Sequence, residues 1–308
     1  MKAKRSLALL LALVMTLSLL AIPAFAAENK TRATPFATKF SDTAGHWAAT
    51  AIDRWSGFGV VVGDETGAFR PNADLTRGEM ATVITNLLGL TNKGKNPYAD
   101  LKGGEWYADA VLKCTAAGII YGDGVNCNAT AKITRQEATV MLCRAVGIKP
   151  AAKPNLSAFS DAASVAPWAA GHVSAMSNAG IISGVGGGLF APTININRAS
   201  TMTILDKAIS EYINKAGEYT ITNSGLVVVT VPDVVLKNSK LNDLLVAEGV
   251  GNGDFTLNST KVTGNTTVRG GGVNSFIVMG DSEMGEITVS KVDGAVRVSV
   301  QGDAKVQV

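Results

Sequence analysis

Phe40-Ser41-Asp42, then Trp47, Gly59, Gly63-Asp64-Glu65-Thr66-Gly67, Phe69, Pro71 and Thr76-Arg77-Gly78-Glu79: this stretch decides the fold, because the chain repeats its pattern twice more. Tyr98-Ala99-Asp100 and Phe159-Ser160-Asp161 open the second and third copies. Each copy supplies a Trp (Trp47, Trp106, Trp168), an apolar stretch ending in Gly (Gly59, Gly118, Gly180), a Gly-rich loop, and an Arg that begins a second apolar stretch (Arg77, Arg135, Arg198). A near-constant period of this kind marks supersecondary units that share a core. The copies run over residues 40–90, 98–148 and 159–210.

Within a copy the pattern reads helix, loop, helix. Trp47, Ala51, Ile52 and Trp55 fall on one helical face, and Gly59 is placed to end that helix in the left-handed conformation. The second helix has a local start signal. Thr76-Arg77-Gly78-Glu79 and Thr134-Arg135-Gln136-Glu137 are capping boxes, each worth about 1 kcal/mol. The third copy reads Asn197-Arg198-Ala199-Ser200, where Asn can cap but the reciprocal Glu is gone. One helical pair buries too little surface alone, so three pseudo-equivalent pairs are expected to form one all-α domain.

Outward from the repeats, both ends differ. Residues 1–26 read as a secretory signal peptide: Lys2, Lys4 and Arg5, an apolar run from Leu7 to Leu20, and the cleavage site Ala24-Phe25-Ala26. Losing them lowers the formal net charge from +3 to zero. With no basic run remaining, nucleic acid is not an expected partner, and neither is a membrane once the signal is cleaved. Residues 27–39 read as a linker.

After Ala216 strand patterns replace helical ones, as in Leu226–Val231 and Val296–Val300. Leu236–Leu241, Leu257–Val262, Met279–Met284 and Val300–Val306 repeat apolar strand, polar turn, apolar strand. Residues 217–308 are therefore expected to be all-β, a right-handed parallel β-solenoid, with an antiparallel sandwich as the competing arrangement. The chain stops at Val308 inside a strand, which suggests a fragment or an end completed by a partner.

Three cysteines all lie in the second copy. Cys114 aligns with Trp55 and Met176, and Cys127 with Phe69 and Phe190, so both are core-type positions. Two states stay open: a Cys114–Cys127 disulfide, or three reduced buried thiols.

The start of each second helix carries the chemistry. A helix N-terminus offers unpaired N–H groups and the positive end of the dipole, and an Arg there adds a fork suited to a carboxylate. Gly63, Gly122 and Gly184 allow close backbone approach. Asp42, Asp100 and Asp161 supply acceptors, and Trp47, Trp106 and Trp168 supply ring faces. Together these suit a carbohydrate bearing an acid group. The competing explanation is structural: tryptophans in the core, arginines paired with acids, glycines serving turns. No G-x-S-x-G, H-E-x-x-H or P-loop motif occurs, and no metal or cofactor is expected.

The pattern F-x-D…W-A…G-V-V-x-G-D-x-x-G-x-F-x-P-x-x-x-L-T-R-x-E resembles the S-layer homology (SLH) domain, over residues 40–210. That resemblance implies a pseudo-trimeric bundle whose inter-repeat grooves bind pyruvylated secondary cell-wall polysaccharide of a Gram-positive-type envelope. It assigns binding to Asp42, Trp47, Gly63, Arg77, Asp100, Trp106, Gly122, Arg135, Asp161, Trp168, Gly184 and Arg198. Thr76, Glu79, Thr134 and Glu137 are the capping residues. The third copy lacks the Thr and Glu, so its groove is expected to bind weakly or only to brace the fold.

The expected protein is exported and non-catalytic. It holds itself on the cell wall, with a β region that projects outward or joins other surface-layer subunits. Two alternatives use the β region differently, as a polysaccharide-active enzyme or as a glycan-binding adhesin.

Overall fold

The computed structural model describes residues 40–273 and 275–306, so the signal-peptide and linker readings lie outside the described residues. Six α-helices come first among them: α1 (Ala49–Gly57), α2 (Arg77–Leu88), α3 (Ala108–Ala116), α4 (Arg135–Ala145), α5 (Pro167–Asn178) and α6 (Arg198–Ala208).

Local signals set the helix ends. Thr76 accepts from the Glu79 N–H at 3.1 Å while Glu79 accepts from the Thr76 N–H at 2.6 Å, and Thr134 and Glu137 do the same. Asn197 accepts from the Ser200 N–H at 2.8 Å, a one-sided cap. Just past α1, Gly59 takes a φ of 76°, the left-handed conformation that only glycine adopts freely.

The helices pair between repeats. α2 packs on α3, α4 on α5, and α6 returns to α1. Three extended segments close this ring at its centre. The Leu75 N–H donates to Ile196 O at 3.0 Å, Ile196 to Ile133 O at 3.0 Å, and Ile133 back to Leu75 O at 2.9 Å. All three side chains are buried. Each repeat thus gives one bond and takes one, and none completes its hydrogen bonding or its core alone.

The strands form a parallel β-solenoid. One sheet runs β1 (Ile209–Ile213), β3 (Thr222–Val229), β5 (Lys240–Val246), β7 (Lys261–Val262), β10 (Glu283–Met284) and β13 (Lys305–Val306), with β8 (Thr266–Val268) and β11 (Ile287–Val289) beside it. The other runs β2 (Gly217–Tyr219), β4 (Val234–Lys237), β6 (Phe255–Asn258), β9 (Phe276–Met279) and β12 (Val298–Val300). The pairings between them are parallel, which overturns the antiparallel sandwich. β1 starts where α6 ends, ahead of the expected boundary at 217, so the tail of the third repeat is already the first strand.

Two features stack from coil to coil. Val234, Phe255, Phe276 and Val298 are in register, with the Phe255 and Phe276 rings 5.3 Å apart. At the corner, buried Ser239, Thr260 and Ser282 form a hydroxyl ladder. Thr260 Oγ1 accepts from the Ser239 N–H at 3.2 Å, and Ser282 Oγ from the Thr260 N–H at 3.0 Å.

The run Leu226–Val229 does not alternate apolar and polar, because both faces are buried. Val227 and Val229 point into the solenoid, while Leu226 and Val228 join the helical core together with Leu245 and Ala247. Strands covered on both sides read as continuous apolar runs. The solenoid therefore lies against the bundle. Tyr212 packs between Trp55 and Phe58 and donates to Leu87 O at 2.8 Å. A Cβ on Gly89 would sit 2.8 Å from Gly249 Cα, so the two backbones touch there.

Glu248 is buried at this interface. Its carboxylate accepts from the Thr91 N–H and Asn92 N–H at 2.7 Å each and from Thr91 Oγ1 at 3.0 Å. The three cysteines are free thiols and no Cys114–Cys127 bridge forms. Cys114 faces α2, with Ala81 O at 3.4 Å, while Cys127 lies in the loop pinned by Asp100. Burial pushes the Cys114 and Cys143 thiols up to about 12.

Candidate functional site

The backbone N–H groups at the helix starts are already spent. The Arg77 and Gly78 N–H groups donate to Ala131 O (3.0 Å) and Ala129 O (2.8 Å) of the second repeat. Arg135 and Gln136 donate to Ile194 O (2.8 Å) and Pro192 O (3.0 Å) of the third, and Arg198 and Ala199 to Ala73 O (3.0 Å) and Pro71 O (2.9 Å) of the first. The third N–H of each helix goes to its cap. A helix start must satisfy these donors somewhere; here the first two join repeats and the third is capped within its own repeat.

The aspartates are pins as well. Asp42 accepts from the Phe69 and Arg70 N–H groups at 2.8 and 2.7 Å, Asp100 from Cys127 and Asn128 at 2.9 and 2.8 Å, and Asp161 from Phe190 and Ala191 at 2.8 and 2.7 Å. Desolvation raises these carboxyls, but the paired N–H bonds outweigh it and hold all three below the usual range. Each carboxylate oxygen takes one backbone N–H and keeps a further lone pair, so the aspartates fix the loops without spending all their acceptor capacity. Gly63, Gly122 and Gly184 serve close packing. A Cβ on Gly122 would meet Asn126 O at 2.2 Å and the Tyr98 ring at 2.6 Å, one on Gly63 the Phe40 ring at 2.6 Å, and one on Gly184 Leu189 O at 2.7 Å.

Each arginine reaches into the loop of the next repeat. Arg77 donates from Nε to Cys127 O (3.0 Å) and from Nη2 to Tyr121 O (3.0 Å), and pairs through Nη1 with Glu137 at 3.1 Å. Arg198 makes the matching bonds to Phe69 O and Val62 O, both at 2.8 Å. Arg135 is buried, donates to Ser183 O at 2.6 Å and lies 5.2 Å from the Phe190 ring. Of the five guanidinium N–H groups on Arg77, three are used and two remain to offer a ligand.

The tryptophans are the surface element. Trp47, Trp106 and Trp168 are 65%, 68% and 53% exposed, while Trp55 fills the core position. Their grouping differs from the sequence order. Trp168 lines the same groove as Arg77, so one groove of about 580 Å³ draws an arginine from the first repeat, a loop and helix face from the second, and a ring from the third. The same groove is lined by Tyr121, Lys132, Glu137 and Arg144. The Arg144 guanidinium stacks on Tyr121 at 4.5 Å. Lys132 bridges to Asp74 O at 3.1 Å.

Sequence reasoning missed Tyr121, Lys132 and Arg144. One signal was available: Glu137, Met141 and Arg144 share a face of α4, so a charged residue falls where the pattern calls for an apolar one. At the positions of Tyr121, Glu137 and Arg144, the first repeat has Val62, Glu79 and Asn86 and the third has Ser183, Ser200 and Lys207. A second arginine stacked on a tyrosine therefore marks the Arg77 groove alone. Cations and an exposed ring in one cleft suit a saccharide that carries acid groups.

Comparison with known proteins places the three repeats in one family. The family model for the S-layer homology domain matches residues 39–81, 97–139 and 158–201. An amylopullulanase of Thermoanaerobacterium thermosulfurigenes is 34% identical over 170 residues, 54% of this chain and 9% of that protein. The surface-layer 125 kDa protein of Lysinibacillus sphaericus is 34% identical over 139 residues, 45% of this chain and 12% of its own length. The S-layer protein sap of Bacillus anthracis is 26% identical over 215 residues, 67% of this chain and 25% of that protein. The chain thus spans a quarter or less of each of these relatives.

Proposed function

Because the chain carries three tandem S-layer homology domains and is an exported surface protein, we propose that it holds itself on the cell wall by binding an acidic wall polysaccharide. The observation that carries this is the groove between the repeats, lined by Arg77, Lys132, Arg144 and the exposed Trp168. The polymer that fits is pyruvylated secondary cell-wall polysaccharide. Its ketal carboxylate accepts the two N–H groups that Arg77 still offers, and Trp168 covers an apolar sugar face. Several weak grooves on one ring give firm retention through avidity.

The solenoid is a structural element of the same protein, acting without catalysis and available to other surface-layer subunits. Co-sedimentation of the purified chain with cell walls, before and after mild acid removes the pyruvate, tests the proposal. Binding to intact walls and loss after acid is the expected result. Equal binding to both would exclude the carboxylate as the recognised group.

A further inference from the structure

The solenoid touches the bundle at one point that bears on the groove. Arg269, just after β8, is buried, and its guanidinium leaves the solenoid to enter the helical domain. Nη1 donates to Ala117 O at 3.0 Å and Nη2 to Arg144 O at 2.9 Å. Ala117 ends α3 and Arg144 lies in the last turn of α4, so one cation satisfies carbonyls at two helix C-termini, where the dipole also favours positive charge.

The two bridged segments are the ones whose side chains form the groove's stack. The chain from Ala117 runs on through Ile119 to Tyr121, and the side chain of Arg144 returns to both. It lies over the Tyr121 ring at 4.5 Å and reaches Ile119 O at 3.5 Å. The distance between α3 and α4 at this end, and with it the seat of the Arg144 guanidinium, is thus fixed from the solenoid side.

We propose that Arg269 is a positioning residue for wall binding: the solenoid holds Arg144 in the groove through it, so ligand affinity depends on a side chain outside the three repeats. This rests on the groove reading above. Lysine could not replace the fork, because one ammonium at the end of a flexible stem cannot present two N–H groups in that fixed geometry.

The test is a double-mutant cycle on the full chain, with binding to purified walls that retain their polysaccharide as the readout and thermal melting run on the same samples. Arg269→Met, which keeps the apolar stem, should weaken binding about tenfold, Arg144→Ala by a similar factor, and the double variant no further than Arg144→Ala. Lys149→Met removes the exposed ion pair with Glu286 at the same interface, away from the stack, and should leave binding unchanged. Should Arg269→Met not fold, Arg269→Lys keeps the buried charge and should weaken binding by a smaller factor.

Wild-type binding in a folded Arg269 variant, or losses that multiply in the double variant, would overturn the proposal. So would an equal loss in Lys149→Met. Trp168→Ala runs in parallel. If it binds as wild type, the groove reading itself fails. If it loses binding while Arg269→Met does not, only the coupling fails.

Discussion

The Arg198 guanidinium lies 4.3 Å from the Phe69 ring centroid and donates through Nε to Phe69 O at 2.8 Å, across 129 residues of chain. That contact joins the last repeat to the first and closes the ring. The weaker capping sequence of the third repeat does not lessen its part in the fold, because Arg198 makes the bonds that Arg77 makes at the interface of the first and second repeats.

Arg198→Met should therefore destabilise the bundle by about 3 kcal/mol, the order expected when a partly buried, charge-assisted pair of hydrogen bonds is lost. Urea denaturation followed by circular dichroism measures it. An unchanged midpoint would show that the ring closes without this side chain.

Gly122→Ala should cost about 1–3 kcal/mol, because the new methyl has no room between Asn126 O and the Tyr98 ring. The same denaturation experiment applies, with Gly104→Ala, where the added methyl meets nothing, as the comparison. Equal midpoints for the two variants would show that the loop yields at no cost.

Acid should loosen the repeat loops. Asp42, Asp100 and Asp161 have folded values below the ordinary 3.8, and Asp64 and Asp123 lie at about 2. A depressed folded value means that the unfolded chain binds protons first. The stabilisation is complete above about pH 4 and disappears as pH falls toward 2. Urea midpoints between pH 6 and 2 should decline over that window, and Asp100→Asn should decline less steeply than wild type. Parallel curves would exclude the Asp100 pin as a contributor.

In the solenoid, Thr260→Val should cost about 1–3 kcal/mol, since it removes the acceptor for the buried Ser239 N–H and the donor to Leu236 O. Thermal melting checks it. A variant as stable as wild type would mean the hydroxyl ladder contributes nothing.

What the sequence made legible was local. Thr76 and Glu79 cap within three residues, and Gly59 ends α1 at the next turn, so reading neighbours was enough. The coil repeat of the solenoid was legible because parallel strands stack like residues in register. What could not be read was which repeat meets which. Nothing near Arg77 says that its partners are Cys127 O and Tyr121 O, or that Trp168 covers its groove instead of Trp47. The pairing of Glu248 with Thr91 was hidden for the same reason, because burial at an interface follows from long-range packing that one-dimensional patterns do not carry.

The most direct measurement is calorimetric titration of short, soluble fragments of the wall polysaccharide into the full chain and into Trp168→Ala. Trp168 is exposed and lines the groove, so removing it should leave the melting temperature unchanged and weaken binding about tenfold or more. Equal affinity for the two proteins would contradict the account.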